Sequence, residues 1–148
     1  MLASSWTIAS LMTIHFLNCF TCNARVPSSW HTGTLCLLVE TAQGLVLIDT
    51  GPGLGDYRDP PGILRVFRVI TKVPMDTEEA AVRQVARLGY KTEDVSHVIL
   101  SHMHFDHCGG LSDFPQATVH VHQQELAAFM GRPRRFTDLA YVRRHIAH

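Results

Sequence analysis

The sequence predicts an α/β fold from three observations. Short apolar runs of strand character alternate with segments of helical periodicity. Two of these runs, 35–41 and 45–49, are joined by the turn-forming Ala42-Gln43-Gly44. A third, 97–101, leads straight into a histidine-rich loop that closes on Gly109-Gly110. Strands interleaved with helices pack as α/β layers rather than as a bundle or a sandwich of sheets. With 148 residues the chain can build one domain with its own core, but not two of ordinary size.

The elements follow in order. Residues 1–11 carry no capping, turn or ligand signal and read as an upstream extension; the strand pattern begins after them, at 13–18. The stretch up to Phe20 is apolar, yet no Lys or Arg precedes it, and Thr7, Ser10, Thr13, His15 and Asn18 interrupt it. A secretory signal has a basic start and a continuous apolar stretch, and a membrane span needs about twenty apolar residues. The expectation is therefore a cytoplasmic protein. A loop with Pro27 and Ser28-Ser29 leads to Trp30-His31, and the 35–41 and 45–49 hairpin follows. Gly51-Pro-Gly-Leu-Gly55 and Asp59-Pro-Pro-Gly62 are turns. The stretch holding Ile63, Leu64, Val66, Phe67, Val69 and Ile70 reads either as a short packed helix or as a pocket wall. Asp76-Thr-Glu-Glu79 resembles a capping box; Ala81, Val85 and Leu88 then share one face, and Gly89 stops the helix. Residues 117–122 alternate as a strand with His120 and His122 on one face, and 123–130 and 138–146 read as helices.

Composition narrows the partners. Lys plus Arg equals Asp plus Glu at 13 each, so neither nucleic acid nor an anionic membrane is expected; a small molecule is. The ten histidines are the outlier. The four cysteines do not make a framework: Cys19-Phe-Thr-Cys22 is a lone C-x-x-C, and Cys36 and Cys108 have no paired spacing, so ordinary reduced thiols are expected.

The chemistry lies in Ser101-His102-Met-His104-Phe-Asp106-His107-Cys-Gly109-Gly110. Three imidazoles and a carboxylate within six residues make a hydrolytic metal-ligand set. His102 and His104, two apart on extended backbone, point the same way and can share one ion. Asp106 and His107, adjacent at a turn, suit a second. The two glycines let the backbone pass close beneath the metals and are expected to open a helix. His120 and His122 are read as packing or surface residues.

This loop resembles the metal-binding motif of the metallo-β-lactamase superfamily, and within it the N-acyl homoserine lactonases. Gly44-Leu-Val-Leu-Ile-Asp49-Thr-Gly51 resembles the family's strand ending in Asp-Thr-Gly. His104, where flavo-diiron oxygen reductases carry Glu, separates the chain from that branch. The resemblance implies a zinc-type hydrolase with two Zn2+ ions, other divalent metals remaining open. It would act on a lactone or other ester-like carbonyl through a metal-bound hydroxide, with His102, His104, Asp106 and His107 as ligands. Asp106 would also manage a proton, Asp49 would support the ligands from behind, and the 63–70 segment would wall the pocket. The alternatives are a glyoxalase-II-like thioesterase and a non-catalytic, truncated metal-binding half-domain.

The family fold is an αβ/βα sandwich of two similar halves, and residues 12–148 resemble the N-terminal half alone. The third His, the bridging Asp, the late His and the lactonases' catalytic Tyr belong to the other half; no Gly-His-Thr-Pro-Gly-like segment occurs between His122 and His148. The expectations are an N-terminal portion with an uncovered apolar sheet face, a tail at 143–148 that reads as a cut edge, and a homodimer as one way to cover that face.

Overall fold

The computed structural model describes residues 12–24, 30–131 and 136–146. The proposed extension at 1–11 and the Pro27-Ser28-Ser29 loop lie outside them. The architecture is mixed α/β around one five-stranded sheet, ordered β1 (Ile14–Ala24), β2 (Trp30–Thr41), β3 (Gly44–Ile48), β4 (Val95–Ile99), β5 (Thr118–His120). The first three strands are antiparallel; β3, β4 and β5 are parallel. Between β3 and β4 run α1 (Leu54–Arg58), α2 (Gly62–Thr71) and α3 (Ala81–Arg87). Between β4 and β5 lies α4 (Phe105–Cys108), and α5 (Gln123–Met130) follows β5.

The β2–β3 hairpin turns in two residues, Ala42 and Gln43, with Thr41 opposite Gly44. Gly44 sits at φ +124°, and an added Cβ would lie 3.0 Å from Ser96 Oγ, so glycine is required there. β1 runs well past the expected 13–18. An irregularity between Asn18 and Phe20 lets the strand continue, so that Phe20 and Cys22 join Leu64, Val73 and Phe105 in a small second cluster. The C-x-x-C is thus two buried strand residues, and all four cysteines are free.

One face of the sheet carries Leu17, Cys36, Leu38, Leu45, Leu47 and Val98, which pack with Ala81, Val85, Leu111 and Phe129 into the main core. The other face is left open: Phe16 is 71% exposed, Leu35 56% and Ile99 43%. The uncovered apolar face expected from the sequence is present. Among the described residues no helix is long and apolar enough to cross a membrane.

Four local readings are corrected. Asp76 caps a separate 3-10 turn (Thr77–Glu79) by accepting the Glu78 N–H at 2.9 Å, and α3 begins only at Ala81. The glycine pair does not open a helix: α4 precedes it, and Gly109–Asp113 is a 3-10 turn. The β5 strand ends at His120, and the His122 side chain instead accepts the Gln124 N–H as the N-cap of α5. Residues 138–146 form no single helix but lie in two 3-10 turns, Phe136–Ala140 and Arg143–Ile146. The break falls where adjacent Tyr141 and Val142 pack into different clusters, which one continuous helical face cannot do.

Candidate metal centre

β3 and β4 run parallel and side by side, so their carboxyl ends deliver the two halves of the site to one place. The Asp49 N–H bonds to the Ile99 carbonyl at 2.9 Å, the last rung of that pairing. Beyond it Asp49 turns into left-handed backbone, φ 57°, a conformation that Asp tolerates better than most residues and that often marks a functional position.

The turn aims the Asp49 carboxylate across at the loop. Its Oδ1 accepts the Ser101 N–H at 2.8 Å and its Oδ2 accepts the Ser101 hydroxyl at 2.6 Å. Oδ2 also lies 2.9 Å from His107 Nδ1. A carboxylate can only accept here, so Nδ1 of His107 carries the hydrogen and Nε2 keeps its lone pair. Ser101 Oγ, having donated to Asp49, lies 3.1 Å from His102 Nδ1 and is placed to accept from it, which leaves Nε2 of His102 free as well. One carboxylate thus sets which nitrogen of two imidazoles keeps its lone pair, directly for His107 and through Ser101 for His102.

The donors gather around these rings. His102 and His104 stand 4.6 Å apart between ring centroids, and His102 and His107 3.9 Å. Asp106 Oδ2 lies 3.6 Å from His107 Nε2 and accepts the Thr34 hydroxyl at 3.1 Å. All four sequence-predicted ligands are therefore brought together. Among the described residues, however, no three His, Cys, Asp or Glu side chains close into a ready-made cage. Three imidazoles and one carboxylate are nonetheless a chemical set that suits zinc.

The electrostatics follow from the same contacts. Burial pushes the Asp49 carboxyl up, but the hydrogen bonds from His107 and Ser101 outweigh it and hold it below the usual range. Burial pushes His107 down, and its bond to Asp49 with the charges of Asp106 and Asp49 more than reverses this. His102 has no such compensation: burial, then His107 and His104, lower it and favour the neutral, ligating form.

Behind the loop, Thr50 and Gly51 hold its backbone. The Thr50 N–H donates to the His107 carbonyl at 2.8 Å, and the Gly110 N–H lies 2.9 Å from the Gly51 carbonyl and 3.0 Å from Thr50 Oγ1. Close approach explains the glycine pair: a Cβ on Gly109 would collide with Asp56 Oδ2 and lie 3.0 Å from Pro52 Cα, and one on Gly110 would lie 3.0 Å from Thr50 Cβ. Burial, with the charges of Asp56, Asp106 and Asp49, pushes the Cys108 thiol up to about 12, so it is an inert core group despite its position beside the ligands.

His120 bonds at 3.0 Å to His97 on β4 and is no part of the cluster. Behind the site, His145, 5% exposed, and Arg144 reach the buried Asp56 carboxylate at 2.9 and 2.7 Å. Thr34, Glu125, Tyr141, Asp56 and His145 contribute to the site or its support without any sequence signal marking them.

Comparison with known proteins agrees with this geometry. The sequence model of the Metallo-beta-lactamase superfamily matches residues 31–143. The chain belongs to that superfamily. Over 137 residues it is 43% identical to "Probable metallo-hydrolase Rv2300c" of Mycobacterium tuberculosis, covering 91% of this chain and 42% of that protein. Over 135 residues it is 30% identical to an N-acyl homoserine lactonase of Bacillus cereus, covering 85% and 53%. Its fold matches the crystal structure of a probable metal-dependent hydrolase from Staphylococcus aureus with a TM-score of 0.70, at 24% identity and over 88% and 53% of the two chains. The metallo-β-lactamase-like chain thus spans about half the length of the relatives it matches.

Proposed function

We propose that this chain supplies the zinc-binding half of a hydrolase centre for a lactone or other ester-like carbonyl with an apolar acyl group. The observation that carries the reading is an apolar cavity of about 250 Å³ that opens on the donors themselves. It is lined by Phe20, Cys22, Ile63, Phe67, His104 and Asp106 among others. A hydrocarbon chain lying against Phe20 and Phe67 would bring the carbonyl it carries to His104 and Asp106. The similarity to an N-acyl homoserine lactonase supports an acyl lactone as the first substrate to try. Zinc, when bound by His102 with His104 and by Asp106 with His107, supplies activation of water and polarisation of the carbonyl. The chain's own part is to hold the imidazoles in their ligating tautomers through Asp49, and to accept at Asp106 Oδ2 the proton released as water adds.

A second reading is favoured by the pairing of the donors. Two ligands per ion fall short of the roughly three protein ligands of a catalytic zinc, so this span binds metal without being a catalyst alone. Both readings meet in one experiment. The chain is assayed by itself, and again joined to the length of the M. tuberculosis relative beyond the matched region, with N-hexanoyl homoserine lactone and with a glutathione thioester. The expected result is no turnover above a metal-in-buffer control for the chain alone, and lactone hydrolysis for the joined protein. Thioester hydrolysis without lactone hydrolysis would replace the substrate assignment, and no hydrolysis by a folded, zinc-loaded joined protein would remove it.

A further inference from the structure

The three histidines of the cluster are not supported alike. His107 is tied to Asp49 and His102 to Ser101, whereas among the described residues nothing hydrogen-bonds the His104 ring. Its neighbours are rings: His102 at 4.6 Å and Tyr141 at 4.9 Å, the latter edge-to-face at 63°. Tyr141 is itself wedged against buried Phe129, 5.7 Å away at 76°. Of the two peptide units between His102 and His104, the first carries the N–H of buried Met103, which donates to Glu125 Oε1 at 2.8 Å. Burial, and after it the influence of the same carboxylate, raises the Tyr141 hydroxyl above its ordinary range.

From this geometry we infer that Glu125 and Tyr141 are positioning residues for the His102–His104 half of the metal centre. The inference rests on the metal-centre reading above. In an H-x-H segment the central peptide units set the directions of both imidazoles, so a carboxylate that captures the central amide fixes the two ligands relative to each other. The Tyr141 ring then fixes the rotation of the one imidazole that has no polar partner, through edge-to-face contact. Glu125 and Phe129 both belong to α5, so this helix carries one support directly and backs the other through the Phe129–Tyr141 contact. Neither residue touches the reacting atoms; each acts through a ligand.

The test is a cobalt titration of the chain, read by the d–d absorption of bound Co2+ and by competition with zinc, with thermal melting of the metal-free protein alongside. Glu125→Gln keeps an oxygen for the Met103 N–H, and Tyr141→Phe keeps the ring; both should bind cobalt within about threefold of the parent with the same spectrum. Glu125→Ala and Tyr141→Leu should weaken binding by about 10–100-fold, the usual effect of losing support behind a ligand, and should alter the d–d band. Parent-like affinity and spectrum in Glu125→Ala and Tyr141→Leu would overturn the inference. Equal loss in all four variants, tracking a fall in melting temperature, would also overturn it by making the role one of general stability. A folded parent that takes up no cobalt would instead remove the metal-centre reading, and this inference with it.

Discussion

Asp49 Oδ2 lies 2.9 Å from His107 Nδ1, and the same oxygen takes the Ser101 hydroxyl at 2.6 Å. A single buried carboxylate at the end of β3 therefore governs the chemistry of a loop that follows β4. The relationship exists because β3 and β4 are parallel neighbours, with Ile48 opposite Ile99.

Asp49→Asn tests that relationship with little change in shape. Asn tolerates the φ of 57° at this position, so the backbone turn survives. The anionic acceptor for His107 and Ser101 does not. Zinc affinity, measured by competition with a chromophoric chelator, is expected to fall by about 10–100-fold. Unchanged affinity would mean that the tautomers are set by other means.

Gly109→Ala probes the packing beneath the loop. Its φ needs no glycine, so the cost comes only from the contacts of the new methyl with Asp56 and Pro52. Urea denaturation should show a loss of about 1–3 kcal/mol, typical of overpacking. Gly55→Ala, with nothing within 4 Å of its Cβ and a place inside α1, should be neutral or stabilising by up to about 1 kcal/mol. Equal effects of the two substitutions would contradict the close approach.

Asp113 gives a pH signature. Burial raises its carboxyl above the ordinary 3.8, against the hydrogen bond it accepts from the Leu54 N–H at 2.9 Å. A raised acid binds its proton more readily when folded, so its contribution to stability is complete below 3.8 and is lost as pH rises through the higher folded value. Asp113→Asn keeps an acceptor for Leu54 and cannot ionise. Its stability relative to the parent should therefore increase between about pH 3 and pH 7. Parallel stability curves over that range would show that the burial of this carboxylate has no energetic consequence.

Much of this was legible in the chain. The ligand loop, its strand, the Asp49-Thr50-Gly51 support and the open sheet face all rest on local pattern: dense ligand chemistry after an apolar run, and alternation with no second layer to cover it. What could not be read were contacts made by distant segments. Thr34 meets Asp106 across 72 residues, and His145 meets Asp56 across 89. No spacing rule marks a threonine in a strand or a histidine in a basic tail for such a role. Boundaries failed where packing overrode periodicity, as at Tyr141 and Val142, whose neighbouring side chains serve two clusters. The glycine pair signals a close approach, yet the neighbours that demand it, Thr50, Pro52 and Asp56, stand more than 50 residues earlier in the chain.

The most direct test of the account is metal content after zinc loading and gel filtration, measured by mass spectrometry on the parent and on His104→Ala, Asp106→Ala and His120→Ala. His104 and Asp106 stand in the donor cluster, whereas His120 pairs with His97 outside it. The parent is expected to retain zinc, the first two variants to lose most of it, and His120→Ala to match the parent. Loss of zinc in His120→Ala with full retention in Asp106→Ala would contradict this expectation.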